Sequence, residues 1–128
     1  MRSLPGILVR DTTREEQLAK HFDTLSLCLH KDNPYYENQS ITPESAMNAE
    51  KILLALPPEE EIPRIGIDDD QVMMHWDDAN RFILLVDGSQ VHCVKRATTP
   101  EATYHENLSM SNDFEIIMRL ISSRHDGN

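Results

Sequence analysis

Across residues 62–96 the apolar side chains recur at every second position, and the run is interrupted only by very short polar turns. A period of two marks a strand whose two faces differ. Turns this short can join only antiparallel neighbours. The segment is therefore expected to form a four-stranded antiparallel β-meander, with strands at 64–68, 71–76, 81–86 and 90–96. Asp68-Asp69-Asp70, residues 77–80 and Asp87-Gly88-Ser89 are read as the turns, because aspartate and glycine accept the backbone angles that turns demand.

The third strand narrows the architecture further. Phe82, Leu84 and Val86 point one way, and Ile83 and Leu85 point the other. A strand that is apolar on both faces is expected to be covered on both. Either the chain's own helices cover one side each, or a partner or a second copy of the chain covers one of them.

The flanking sequence supplies helices to pack on this sheet. Thr12 and Thr13, with Glu15 and Glu16, form two overlapping capping boxes, and Leu18, Phe22, Leu25 and Leu29 follow on one helical face. The spacing predicts a helix from about residue 12 to His30-Lys31, stopped by Asp32-Asn33-Pro34. Residues 6–10 before it read as an edge strand or an unpaired arm. Thr42-Pro43-Glu44 is a second start signal: a capping hydroxyl, a proline at the first position and an acid in the first turn. Ala46, Ala49, Leu53 and Leu56, with Ile52 beside them, make its apolar stripe, and Pro57-Pro58 ends it. Residues 57–63, rich in proline and glutamate, are expected to be a stiff solvated connector. Residues 97–110 read as a polar loop with at most a short strand near Tyr104. Ser111-Asn112-Asp113 then starts a last helix carrying Phe114, Ile117, Met118 and Ile121, which fades at Ser122-Ser123 into a frayed end. The expected fold class is α+β in one domain over residues 1–128. Its helical part covers about 12–57, its strand part about 62–96 and its C-terminal helix about 111–123.

A chain of 128 residues buries enough surface to fold without disulfides or metal. Its two cysteines, Cys28 and Cys93, are expected to be free, buried thiols in a reducing compartment. No run of apolar residues is long enough to span a bilayer, and the first residues lack the apolar core of a signal peptide, so a cytoplasmic location is expected. The net charge is −10, from 22 acidic and 12 basic residues. That balance opposes direct binding of nucleic acid through its phosphates, and docking on an anionic membrane. It suits a protein partner with a basic surface. The excess of acid begins after the first helix, since residues 1–33 carry equal numbers of both signs.

The sequence offers little for catalysis. The four glycines are scattered, so no phosphate-cradling loop is present, and there is no Gly-x-Ser-x-Gly elbow. No two of the six histidines have the i, i+4 spacing of helical metal ligands. His75, His92 and His105 are the only histidines that a sheet could gather. No catalytic residue, metal ligand or cofactor is assigned. Asp68, Asp69 and Asp70 stand at one end of the second strand and Asp77 and Asp78 at the other, about 20 Å away. The two groups cannot serve one reaction centre. Their plain reading is solvated turns; their functional reading is two sets of carboxylates offered to a basic partner. Trp76, in phase with Val72 and Met74, belongs to the core. Tyr35 and Tyr36 lie in a polar loop with no apolar period around them. They are assigned to a contact surface, the plainer alternative being a loop folded back onto the helices.

Residues 62–95 combine a proline before the first strand, an acidic turn, a strand ending in Trp76, a strongly apolar strand and an Asp-Gly turn. In this they resemble a β-meander module of small uncharacterised bacterial and mobile-element proteins. The resemblance implies a bacterial or phage-related setting and carries over no catalytic residue. The expected function is that of a non-enzymatic acidic module that binds a basic protein, as an inhibitor or antitoxin-like partner would. A small enzyme built from dispersed histidines and aspartates is one alternative. A self-associating structural protein, such as a homodimer, is another.

Overall fold

The structure, a computed structural model, describes residues 3–77, 81–97 and 99–125, with the backbone alone for 3–13 and 125. It is an α+β fold. Helices α1 (Ser3–Leu27) and α2 (Pro43–Ala55) precede strands β1 (Arg64–Asp68), β2 (Gln71–Trp76), β3 (Phe82–Asp87), β4 (Gln90–Lys95) and β5 (Thr103–Ser109); helix α3 (Phe114–Ser122) and a 3-10 turn over Ser123–His125 follow. The strands lie in sequence order in one sheet, and each pairs antiparallel with the next.

The meander expected from the sequence is present, and a fifth strand extends it. Residues 103–109, where the sequence offers at most a short strand near Tyr104, pair with β4 through Cys93 opposite His105 and Val94 opposite Tyr104. Its full length escaped a reading by pattern because it is an edge with little apolar content. Residues 103–107 are exposed, and its backbone ladder, not side-chain burial, holds it. A bulge interrupts the ladder where Asn107, at φ 61°, sends its N–H to Nδ1 of His92.

The N-terminal expectation is also corrected. Residues 6–10 are neither strand nor arm, and the two capping boxes lie inside one 25-residue helix. Pro5 falls in its first turn, where a missing N–H has no helical acceptor to lose. The helix tightens at its end, with Leu29 and His30 donating to carbonyls three residues back, so regular helix stops at Leu27. The second helix forms as its signals require. Thr42 has extended backbone angles, its Oγ1 accepts from Ser45 N at 3.1 Å, and Pro43 opens the first turn.

Burial alternates along the strands. Val72, Met74, Trp76, Phe82, Leu84, Val86, Val91 and Cys93 are buried together with Leu25, Ala49, Ile52, Leu53, Ile117 and Ile121 from the helices. One cluster contains both sets, so the helices lie on a single face of the sheet. The opposite face carries Met73, His75, Ile83, Leu85, His92 and Val94, all partly exposed. The double-sided third strand is therefore fully covered on one side only. Among the described residues no helix is long and apolar enough to cross a membrane.

Two further expectations fail at one place. The 57–63 segment is not wholly solvated, and Arg124 is not frayed. Glu60 is 7% exposed and Arg124 fully buried, and the Arg124 guanidinium donates to the Glu60 carboxylate. The guanidinium also lies over the Trp76 ring, 5.1 Å from its centroid, while Trp76 Nε1 donates to the Glu61 carbonyl. A buried charge needs such a partner, because desolvation alone would expel it. The pair ties the connector, the end of β2 and the C-terminal turn together.

Candidate functional site

Antiparallel order puts the β1–β2 and β3–β4 turns at one end of the sheet and the β2–β3 and β4–β5 connections at the other. The first end is acidic. Asp68, Asp69 and Asp70 form one turn there, and Asp87 closes β3 beside the other. Glu44 reaches the same end, its Oε1 lying 3.2 Å from where a Cβ on Gly88 would stand. The opposite end holds Arg64, Arg81, Lys95 and Arg96 along with Asp77 and Glu101. Charge is thus sorted along the strands, as composition alone does not reveal.

Two of the groups singled out in the sequence meet at the acidic end. Asp69 and Asp70 both have left-handed backbones, φ 55° and 62°, which a two-residue hairpin turn requires and aspartate tolerates. The Asp70 carboxylate accepts from Ser40 N at 3.1 Å, and Asp70 N donates to Gln39 Oε1. These bonds bring the loop after α1 against the turn. Asn33 shapes that loop. Its Oδ1 accepts from the N–H groups of Tyr35 and Tyr36, and its Nδ2 donates to the carbonyls of His30 and Gln39. Tyr36 then lies across β1, where Gly66 leaves room: an added Cβ there would stand 3.2 Å from the tyrosine hydroxyl. Tyr35 stays outside at 56% exposure, with its ring centroid 6.5 Å from that of Tyr36. The loop thus folds back at Tyr36, onto β1 and not onto the helices as the plainer alternative expects, and Tyr35 is left exposed. Asn38, Gln39, Asp68, Asp69 and Asp70 line a shallow polar depression beside it.

Asp77 does not join this corner. It stands at the far end of β2, where its carboxylate accepts from Arg64 at 2.6 Å and lies 3.3 Å from His75 Nε2. Its neighbour Asp78 lies outside the described residues. The three candidate histidines do not converge either. His75 and His92 are on the less covered face, two strands and two residues apart, or about 12 Å by strand spacing. His105 is paired with Cys93, whose side chain points to the helical face. Among the described residues no group of three or more His, Cys, Asp or Glu side chains is placed to hold a metal ion. Both cysteines are free and buried. Burial raises the pKa of Cys28, and pushes that of Cys93 up to about 12 despite the nearby charge of Lys95, so neither is primed as a thiolate.

Sequence reasoning missed a second surface. An open groove of about 720 Å³ runs between α2 and the β5–α3 junction, bordered by Met47, Leu54, Met110 and Phe114. Met47 is 54% exposed and Leu54 67%. The signal was available: these two residues lie off the buried stripe of α2 and are seven apart, on one helical face. No protein-family model matches the chain, and neither a curated protein nor a solved structure is significantly similar to it.

Proposed function

We propose that this chain is a non-enzymatic, acidic protein-binding module of the cytoplasm, docking its acidic end on a basic protein surface. The reading is supported above all by one juxtaposition. The loop that carries the exposed Tyr35 is held against the turn of Asp68, Asp69 and Asp70 by the bonds of Asp70 to Ser40 and Gln39. An exposed aromatic on a loop that adjoins an acidic turn offers a contact anchor together with a steering field. The loop is braced before any partner arrives, which lowers the ordering cost of association. An inhibitor or antitoxin-like role is the form such docking would take, given the net charge of −10; the resemblance of residues 62–95 adds only a bacterial or phage-related setting. Asp77, at the other end of the sheet and engaged with Arg64 and His75, is left out of this surface.

The test uses the whole chain as bait in extracts of its native host, beside a triple variant Asp68→Asn, Asp69→Asn, Asp70→Asn. Asparagine tolerates the same backbone angles and retains the acceptor for Ser40 N, so the fold is expected to survive. A stoichiometric basic partner should be retained by the parent chain and lost by the variant, and weakened by Tyr35→Ala. Recovery of no partner, or of one held equally by both chains, would sink the proposal.

A further inference from the structure

Helix α2 has two working faces. Ala46, Ala49, Ile52 and Leu53 are buried against the sheet. Met47, Glu50, Lys51 and Leu54 follow one another at i, i+3, i+4 and i+7 on another side, and so form one outward row. Leu54, at 67%, is the most exposed of the large apolar residues described, and Met47 is 54% exposed. By contrast, the apolar residues Met73, Ile83, Leu85 and Val94 of the less covered sheet face are each partly buried already. The outward row also borders the groove of about 720 Å³, whose far wall is Met110 and Phe114. Both its ridge and its furrow are therefore in place.

We infer that this row packs antiparallel on the same row of a second copy, about a two-fold axis passing between Glu50 and Lys51. Each Met47 then meets the other copy's Leu54, and each Lys51 lies beside the other copy's Glu50. The order of residues favours this occupant. The row reads apolar, acid, base, apolar, so reversing it sets acid against base and apolar against apolar, as an isologous contact requires. A parallel pairing would instead set Glu50 on Glu50 and Lys51 on Lys51. The antiparallel arrangement also opposes the two helix dipoles. It sends the two acidic sheet ends in opposite directions as well, because Glu44 and the Gly88 turn lie at the N-terminal end of α2. Two chains of net charge −10 can then associate without bringing their densest charge together. A strongly basic partner is served poorly here, since the row is neutral and holds a lysine at its centre. The contact is separate from the acidic corner, so either can fail while the other stands.

Light scattering on the full chain at about 100 µM is expected to give twice the 14.7 kDa chain mass. Leu54→Glu should weaken the dimer by about a hundredfold, while its exposed position leaves the melting temperature of the monomer unchanged. A short bismaleimide should join two chains of Lys51→Cys, because position 51 lies beside the axis, and should not join two chains of Tyr104→Cys on the distant sheet face. The native thiols are buried and do not compete. A monomeric mass would overturn the inference and leave the row to a helix of another protein. So would a dimer that survives Leu54→Glu, or one crosslinked through Tyr104→Cys in place of Lys51→Cys.

Discussion

Arg124 shows how much can depend on one side chain near a chain's end. Its guanidinium is fully buried, bonds the Glu60 carboxylate and the Ile121 carbonyl, and lies over Trp76. Removing one member of a buried ion pair leaves the other charged in a poor solvent, which typically costs about 3–5 kcal/mol. Arg124→Ala and Glu60→Ala should each lower stability by that much in urea titrations. The combined change Arg124→Met, Glu60→Leu should lose far less, because it removes both charges and keeps the volume. Two large single losses with no recovery in the double variant would show that packing on Trp76, not charge pairing, carries the effect. His21 makes a pH-dependent contribution. It is partly buried and its Nε2 donates to the Pro63 carbonyl at 2.8 Å; desolvation lowers its pKa, and the hydrogen bond only partly offsets this. A histidine whose folded pKa lies below its unfolded value of about 6.5 folds best when neutral. Its contribution is present above that pH and is lost as pH falls through the lower folded value. The urea midpoint should fall between about pH 7 and pH 5, and His21→Gln should flatten that slope.

At the scale of elements, the contacts between segments are made by a few short polar side chains. Thr42 caps α2, and its neighbour Ser45 accepts from Gly88 N at 2.7 Å, pinning the helix start to the β3–β4 turn. Loss of such a cap costs about 1 kcal/mol, so Thr42→Ala should lower stability by that amount without changing the sheet. Gly66 plays the matching part for the tyrosine loop. Its missing side chain is what admits the Tyr36 hydroxyl over β1. Gly66→Ala should cost about 1–3 kcal/mol through overpacking and should release the loop at 33–40. Faster proteolytic cleavage within that loop, with the rest of the chain still protected, is the expected outcome; unchanged cleavage would mean that Tyr36 is held by the Asn33 bonds alone.

For the whole molecule, the sorting of charge along the sheet has two consequences. A net charge of −10 repels itself within one small fold, and salt screens that repulsion. The melting temperature should therefore rise between about 0.02 M and 0.5 M sodium chloride, where the Debye length shrinks from over 20 Å to a few Å. Association with a basic partner should respond in the opposite sense, losing on-rate as salt rises, because the field of the acidic end is screened over the same range. A fold whose stability is indifferent to salt would show that the far-end pairing of Arg64 with Asp77, and the basic residues around it, already balance the repulsion.

What the sequence determined alone is what local rules govern. The two-residue period and the two- to four-residue turns placed β1 to β4 and their pairing, because a short turn leaves no choice of neighbour. Thr42-Pro43 placed the start of α2, because a cap acts within one turn. The phase of Trp76 with Val72 and Met74 put it in the core. Tertiary structure decided the rest. β5 exists because β4 offers it a ladder, and its polar residues carry no pattern of their own. The first helix runs through its apparent starts, because a capping pattern does not stop a helix that continues on its N-terminal side. Glu60 is buried because Arg124, 64 residues away, comes to meet it. The tyrosine loop joins the β1–β2 turn through Gln39 and Ser40, and Asp77 stands at the other end, for the same reason. Which residues of a sheet share an end is set by the order of its strands, and which loop lies beside them is set by contacts between segments distant in sequence.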